Sequence, residues 1–428
     1  MMVTAGLVVL FSLLFIGVPV GFAMMAAGTA GLWMMGGTTM VVGYLSTTPL
    51  ASASSFELLT IPMFVLMAEL VILSGVANSL FGAAAIWVGR VPGGLGIATA
   101  FAGAGFGAVC GSSTAAAATL SSTSVPAMIE RGYDPRIATG VVAISGTLAM
   151  LIPPSIALVL YAIIADQDIG ALLIGGVVPG LLITVAIGAT VFILAVRHPE
   201  QAPAGHRYSM AEKFSALKVA GPILFLFLAV TGIIYLGVAT PTEASALGAI
   251  GALVLTAINR RLTPGTFLEA LKRAAVTTCM ILTILMGAHL FGYFVTLSRL
   301  TQNLIGFVDG LDLPPQMVLF FVLSLFFILG CIMDQAAILI LTVPILLPLM
   351  TRLGFDPIWF GIIVIVMAEI GLVTPPLGLN AFVVSKYTGR KLEEVFAGLW
   401  PHIFAHLLVV LLLCLFPAIV TWLPGKMR

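Results

Sequence analysis

Seven prolines recur along this chain at one constant spacing, the one that separates Pro19 from Pro241. The pairs are Pro19/Pro241, Pro92/Pro314, Pro126/Pro348, Pro135/Pro357, Pro153/Pro375, Pro154/Pro376 and Pro179/Pro401. Three further identities share the spacing, namely Gly132/Gly354, Asp134/Asp356 and Gly176/Gly398. Proline makes up about 5% of an average sequence, so seven ungapped coincidences do not arise by chance. The chain is therefore a tandem repeat of one unit.

The composition restricts what that unit can be. Of the 428 residues, 61% are hydrophobic and 8% are charged, whereas soluble domains carry about 25% charged residues. Backbone polar groups in lipid must be satisfied internally, which leaves helices or a closed barrel, and apolar runs of about 20 residues without alternation favour helices. We expect an all-α polytopic membrane protein in a lipid bilayer. A net charge of +1 offers no basic surface to a nucleic acid.

Comparison of the two repeats predicts the domain organisation. Each repeat begins with scaffold spans, continues with a segment too short to cross twice, and then has a helix that a Pro-Pro pair interrupts. We interpret the short segment as a re-entrant helical hairpin with its tip near the membrane centre. Repeat 1 (1–196) has scaffold spans 1–75, hairpin 93–127 and broken helix 136–166. Repeat 2 (219–428) has scaffold spans 219–297, hairpin 315–350 and broken helix 358–387, and a cytoplasmic linker, 197–218, joins the repeats.

Charged residues and prolines predict the orientation and the first helices. Lysine and arginine concentrate in cytoplasmic loops, and the linker holds Arg197, Arg207, Lys213 and Lys218. Five crossings per unit, an odd number, make the second repeat inverted relative to the first. The same count places the C-terminus outside, against the charges of Lys426 and Arg428. A break at Pro19 divides the stretch 1–36 into two short helices.

In each repeat, polar groups gather at the hairpin tip and at the Pro-Pro break. The tips are Cys110–Thr114 and Cys331–Gln335, in which Ser112 aligns with Asp334. The breaks are residues 151–155 and 373–377, where adjacent prolines remove backbone donors and free carbonyl oxygens. Hydrocarbon does not tolerate freed carbonyls unless protein, water or an ion satisfies them. A sodium ion binds such oxygens, and the helix N-termini beside them attract an anionic substrate.

These elements supply the candidate site residues. The predicted sodium ligands are Ser112, Ser113, Ile152, Pro153, Asp334, Thr374 and Pro375. The predicted substrate contacts are Thr114, Ser155, Gln335, Gly378 and Asn380. The alternative for Asp334 is a helix N-cap without a bound ion, and for the two serines it is close packing or capping. Glu369 is expected to form a structural pair, and no cofactor is expected besides Na⁺ as the coupling ion.

Six short motifs together resemble a known family. They are Gly17-Val18-Pro19, Leu58–Phe64, Gly111-Ser112-Ser113, Gly132–Pro135, Thr240–Ala244 and Val373–Asn380. In combination, and across essentially the whole chain, they resemble the large membrane subunit of tripartite ATP-independent periplasmic (TRAP) transporters. The resemblance implies a secondary importer of the bacterial inner membrane, driven by a sodium gradient. It also implies a small four-helix membrane subunit and a periplasmic substrate-binding protein as partners.

The resemblance further implies a mechanism and a substrate class. The fold is expected to resemble that of divalent-anion/sodium symporters. The hairpins and broken helices would move as one domain against the scaffold spans, in an elevator motion. The substrate would be a small organic acid, such as a C4-dicarboxylate, a keto acid or a sugar acid.

Other function classes fit the sequence less well. An ATP-driven pump would need a phosphate-binding Gly-rich motif, which the chain lacks. An intramembrane protease could be built only on Ser112 and His289, and it would leave the repeat unexplained. A channel would need polar rings along a pore, whereas the polar residues cluster at the tips. We therefore expect a transporter and no enzyme, with a proton-coupled carrier that uses Asp334 or Glu369 as the open alternative.

Overall fold

A computed structural model describes residues 2–205 and 207–427, and their regular structure is helical. The helices of the first repeat are α1 Met2–Phe15, α2 Val20–Ser54, α3 Thr60–Ser74, α4 Val76–Val88, α5 Gly94–Cys110, α6 Ser113–Glu130, α7 Pro135–Thr147, α8 Ile156–Ala165 and α9 Ile169–Arg197. Those of the second are α10 Met210–Tyr235, α11 Pro241–Ile258, α12 Pro264–Leu297, α13 Leu300–Asp309, α14 Pro315–Gly330, α15 Gln335–Arg352, α16 Pro357–Leu372, α17 Leu379–Thr388 and α18 Leu392–Leu415. A single turn, α19 Ala418–Thr421, follows, and 3₁₀ turns cover Phe56–Leu59, Leu148–Met150 and Pro424–Lys426.

The sequence repeat is also a repeat of structure. Helices α6 and α15 begin and end at equivalent positions of the two repeats, and the other helices follow in the same order. Gly132 and Gly354 both adopt the left-handed conformation, with φ of 80° and 89°, which glycine accepts without steric penalty. Asp134 and Asp356 then cap α7 and α16 through their side chains. The repeated residues are therefore those that fix where helices start and stop.

Helices of the two repeats pack in exchanged pairs. Helix α2 packs on α12 and α3 packs on α11; α7 packs on α18 and α16 packs on α9; α6 packs on α17 and α15 packs on α8. In each case the second pair is the first with both helices replaced by their repeat equivalents. A two-fold axis between the repeats produces this pattern. With the odd number of crossings per repeat that the sequence predicts, this arrangement is an inverted-topology repeat.

Close packing and hydrogen bonds join the scaffold helices of the two repeats. The hydroxyls of Thr60 on α3 and Thr242 on α11 lie 2.8 Å apart. The Thr256 hydroxyl donates to the carbonyl oxygen of Leu70 at 2.8 Å. On the other pair, a side chain at Gly28 of α2 would lie 2.7 Å from the backbone of Phe291 on α12. Small residues allow helix backbones to approach closely in membranes, and the scaffold spans α1–α3 and α10–α12 use them in this way.

The helices differ in whether they are long enough to cross a membrane. Among the described residues, eight helices are long and apolar enough to cross a membrane. The hairpin arms α5 and α14, both halves of the first broken helix and the first half of the second are shorter apolar helices. Short helices that end at mid-depth are tolerated where protein buries their ends. The chain is thus an all-α polytopic membrane protein, as the composition predicted.

One boundary prediction is wrong and one is confirmed. The linker 197–218 is too long, because α10 begins at Met210. Its start is fixed by a capping box in which the Ser209 side chain accepts from the Glu212 N–H at 3.3 Å and the Glu212 carboxylate accepts from the Ser209 N–H at 2.7 Å. The prediction that the stretch 1–36 forms two short helices is confirmed. Helix α1 ends at Phe15, before Pro19, and the first part of α2 runs from Val20 to Gly37. There φ of 66° and ψ of −160° are not helical, and a second part of α2 continues to Ser54.

The polar linker lies against the base of the first hairpin. The N–H of Asp134 donates to the carbonyl oxygen of Gln201 at 2.8 Å, and the N–H of Gly205 donates to that of Gly89 at 2.7 Å. The linker and the base of this hairpin therefore share one side of the molecule. Arg428, one of the two charges that conflict with the predicted orientation, lies outside the described residues.

Candidate functional site

Each hairpin tip is a capped helix start. Ser112 precedes α6 and its hydroxyl accepts from the Ala115 N–H at 3.4 Å. Asp334 precedes α15 and its carboxylate accepts from the Ala337 N–H at 3.1 Å. The two caps occupy equivalent positions of the repeats, and so do the two donors. Asp334 therefore caps α15, and one N–H leaves the second carboxylate oxygen and further lone pairs free for an ion.

Each Pro-Pro pair separates two short helices. Both bonds, Pro153–Pro154 and Pro375–Pro376, are cis. The Ser155 hydroxyl donates to the carbonyl oxygen of Met150 and caps α8. In the second break, the Thr374 hydroxyl donates to the carbonyl oxygen of Ile370 at 2.6 Å. Each hydroxyl therefore donates its hydrogen to a backbone carbonyl oxygen and keeps lone pairs with which it can act as an acceptor.

Each tip touches the break of its own repeat. A side chain at Gly111 would lie 3.2 Å from the carbonyl oxygen of Pro154. In the second repeat, the N–H of Leu377 donates to the carbonyl oxygen of Cys331 at 3.3 Å. The predicted ligand groups of one repeat, at the tip and at the break, are therefore neighbours in space. The structure brings together groups that two intervening helices, α6 and α7 or α15 and α16, separate along the chain.

The two tip-and-break units also interlock. Helix α6, which starts at the first tip, packs on α17, which starts after the second break. Helix α15 packs on α8 in the equivalent way. Four helix N-termini thus belong to one interlocked group around the pseudo-two-fold axis. Their partial positive charges favour an anion between them.

The second unit is open where the first is closed. Residues Leu151–Ser155 of the first break are buried, whereas Pro376 and Leu377 of the second are exposed. Asp334 is exposed and lines a cleft of about 680 Å³. The opposite wall of that cleft includes Gly17–Val20, the break between α1 and α2. The sequence did not predict this wall, although the pair Pro19/Pro241 marked the position.

The predicted substrate contacts have different surroundings. Thr114 is exposed, whereas Ser155, Gln335, Gly378 and Asn380 are buried. The Gln335 amide donates to the carbonyl oxygen of Ile365 at 3.5 Å, and its Oε1 has no polar partner among the described residues. Both polar atoms of the Asn380 side chain likewise lack a partner there. Gly378 has φ of 58° and starts α17 without a side-chain cap, so the first N–H groups of that helix are available to a ligand.

The predicted sodium ligands fall into two groups. Ser113, Ile152, Pro153 and Thr374 are buried, and Ser112, Pro375 and Asp334 are partly or fully accessible. The expectation for Glu369 is wrong, because neither carboxylate oxygen has a hydrogen-bond partner among the described residues. No pattern in the sequence indicated this, since the helix that faces Glu369 lies far along the chain.

Comparison with known proteins decides the family. The family model described as "Tripartite ATP-independent periplasmic transporter, DctM component" matches residues 7–419. The chain belongs to this family. It is 36% identical, over 87% of each chain, to a C4-dicarboxylate TRAP transporter large permease protein of Pseudomonas aeruginosa. It is 32% identical, over 96% of each chain, to a sialic acid TRAP transporter large permease protein of Vibrio cholerae.

A solved structure supports the fold independently. The YdaH transporter of Alcanivorax borkumensis superposes with a TM-score of 0.61 over 88% of this chain and 89% of its own, at 16% identity. At that identity the likeness concerns the fold alone. Family membership makes the chain the large permease subunit of a TRAP transporter, a multi-pass protein of the bacterial inner membrane and not an enzyme. Large permeases of this family work with a small membrane subunit and a periplasmic binding protein.

Proposed function

We propose that this permease imports a small organic anion together with sodium ions. The observation that carries the proposal is the contact of each hairpin tip with the Pro-Pro break of its own repeat. Carbonyl, hydroxyl and carboxylate oxygens are the groups that hard cations prefer. Ser112, Ser113, Ile152 and Pro153 would bind one ion, and Asp334, Thr374 and Pro375 the other.

The anion would lie between the two cation sites. The uncapped N-terminus of α17 and the buried amide of Asn380 offer hydrogen-bond donors to a carboxylate. Thr114, Ser155 and Gln335 would complete the contacts. Two bound cations would offset the charge of a dicarboxylate, which explains why the substrate would enter with sodium and not alone. Carboxylates also appear in the names of the two relatives, as C4-dicarboxylate and sialic acid.

The cleft between Asp334 and the α1–α2 break supports an elevator mechanism. It separates a tip from the scaffold, along the surface where the two domains would slide. A four-helix small subunit would hold the scaffold in the membrane, and a periplasmic binding protein would deliver the substrate. The hairpins and broken helices would carry the anion and the ions as one unit.

Reconstituted uptake tests the proposal. The permease, its small subunit and its binding protein are assembled in proteoliposomes, with a radiolabelled C4-dicarboxylate, keto acid and sugar acid as probes. An inward sodium gradient without a pH gradient should drive accumulation of one of them. Accumulation that follows only a pH gradient would support the proton-coupled alternative and contradict the proposal.

A further inference from the structure

A small cavity inside the protein contains a carboxylate and an imidazole. Glu369 of α16 and His406 of α18 line it together with Thr147 of α7 and five aliphatic side chains. Glu369 is 3% and His406 is 2% exposed. The cavity measures about 10 Å³, which is near the lower limit for one water molecule. None of the predicted sodium ligands or substrate contacts lines it.

The hydrogen bond of His406 fixes which nitrogen is the free acceptor. Its Nδ1 lies 2.9 Å from the carbonyl oxygen of His402. A carbonyl oxygen only accepts, so Nδ1 carries the hydrogen, and Nε2 of the neutral ring holds a lone pair. Nε2 has no partner among the described residues. A buried acceptor of this kind requires a donor.

Glu369 is the group that can supply this donor. The Thr147 hydroxyl is already used, because it donates to the carbonyl oxygen of Ile144 at 2.7 Å. An ionised Glu369 would itself present only acceptors, and a bridging water would have to supply both donors. The ionised carboxylate would also be a bare charge in an apolar cavity, since both of its oxygens lack partners among the described residues. A protonated Glu369 removes this charge and supplies the proton for a chain of hydrogen bonds to Nε2.

The other titratable groups near α16 are engaged elsewhere or lie at helix ends. The Tyr161 hydroxyl donates to the carbonyl oxygen of Pro357 at 2.7 Å, and Arg352 binds Asp309 at 2.6 Å. Those at helix ends are Arg136, Arg197, Asp334, Glu393, Glu394 and Cys414. His402, one turn before His406 and fully buried, is the remaining neighbour. No cation among these groups is placed to neutralise Glu369.

We propose that Glu369 and His406 form a proton-binding site. One proton resides on the Glu369 carboxyl, which donates to Nε2 of His406 through one water molecule. The site is separate from sodium coupling, and the proton stays bound while the ions and the anion are carried. Loss of this proton to solvent at alkaline pH leaves an unpaired charge between α16 and α18 and loosens their packing.

Infrared difference spectroscopy on the purified protein tests the site. The carbonyl stretch of a protonated carboxylic acid should be present at neutral pH and vanish at alkaline pH. This band should be absent from the spectrum of Glu369→Gln. It should be present in that of Glu130→Gln, because the Glu130 carboxyl is exposed at the end of α6. In His406→Leu the band should persist and move to higher frequency, because the acid loses its acceptor. A wild-type spectrum without a band assignable to Glu369 overturns the proposal, as does an unshifted band in His406→Leu.

Functional measurements separate a retained proton from a transported one. Melting temperature and sodium-driven uptake of the wild type should both fall from neutral to alkaline pH. Glu369→Gln should retain uptake and lose that alkaline decline, and Glu130→Gln should behave like the wild type. Loss of sodium-driven uptake in a folded Glu369→Gln protein would make the proton a coupling ion and contradict the proposal. That result leaves the sodium sites testable by their own variants.

Discussion

The backbone N–H of Leu377 donates to the carbonyl oxygen of Cys331 at 3.3 Å. This bond ties the second Pro-Pro break to the tip of the second hairpin. In the first repeat the tip and the break meet at other residues, because a side chain at Gly111 would lie 3.2 Å from the carbonyl oxygen of Pro154. A break and its tip therefore form one unit in each half of the molecule. Such a unit can trap a cation only if both parts keep their relative position.

Gly111→Ala should impair transport more than it impairs folding. Gly111 has φ of 62°, and an L-residue in that conformation costs about 1–2 kcal/mol. The new methyl group would also press on the carbonyl oxygen of Pro154, 3.2 Å away. We expect a lower melting temperature and a clear loss of apparent sodium affinity in uptake assays.

Gly132→Ala is the matched control for Gly111→Ala. Gly132 has φ of 80°, and no atom lies within 4 Å of the position that a methyl group would take. The substitution therefore introduces comparable backbone strain away from the tip. Equal loss of sodium affinity in both variants would show that the tip-and-break contact has no special role.

Gly330→Ala should destabilise the second unit. A methyl group there would lie 2.5 Å from the carbonyl oxygen of Ala368 and 2.9 Å from Cα of Gly371. Overpacking of this kind costs about 1–3 kcal/mol. Unfolding of the purified protein in detergent measures the change. Gly292→Ala, which has open space around the new methyl group, should be neutral or slightly stabilising.

The scaffold bond between Thr60 and Thr242 should be measurable as a coupling energy. Valine at either position keeps the shape and removes the hydroxyl. Hydrogen bonds between membrane helices average about 0.6 kcal/mol in double-mutant cycles, and we expect a coupling of that order. The Thr190 hydroxyl bonds within its own helix, so the destabilising effects of Thr60→Val and Thr190→Val should be additive. If the effects of Thr60→Val and Thr242→Val on the free energy of unfolding were additive, the two hydroxyls would not stabilise the contact between the scaffold helices α3 and α11.

Thr374→Val should weaken sodium dependence, and Thr374→Ser should preserve it. The hydroxyl donates its hydrogen to the carbonyl oxygen of Ile370, so its oxygen keeps lone pairs for an ion. Serine keeps that oxygen, whereas valine removes it without a large change in volume. The sodium concentration for half-maximal uptake is the measurement. Equal values for both variants would remove Thr374 from the ion site.

The repeat made much of the fold predictable. Helix boundaries followed from prolines and caps, such as Asp134 and Asp356, because these residues act locally. The early start of α10 was also readable, since Ser209 and Glu212 have the capping-box spacing. The charge of residues 197–218 favours a linker, and this masks the capping-box signal.

Contacts between distant helices were not predictable in the same way. The cleft that joins Pro19 to Asp334 depends on how scaffold and hairpin pack. The cavity shared by Glu369 and His406 likewise depends on the packing of α16 against α18. A single sequence indicates which residues are candidates for a site. The constant offset between the repeats pairs only equivalent positions, so it does not predict which non-equivalent helices pack together.

Sodium binding to Asp334→Asn tests the central claim most directly. Asparagine caps helices about as well as aspartate, so α15 should keep its start and the protein its stability. Binding of radioactive sodium to the purified transporter is measured for the wild type, for Asp334→Asn, and for Asp356→Asn as a capping control outside the site. In Asp334→Asn alone, we expect the dissociation constant of the most weakly bound sodium ion to rise at least about tenfold. That rise is equivalent to about 1.4 kcal/mol. Unchanged sodium binding in a folded Asp334→Asn protein would contradict the account.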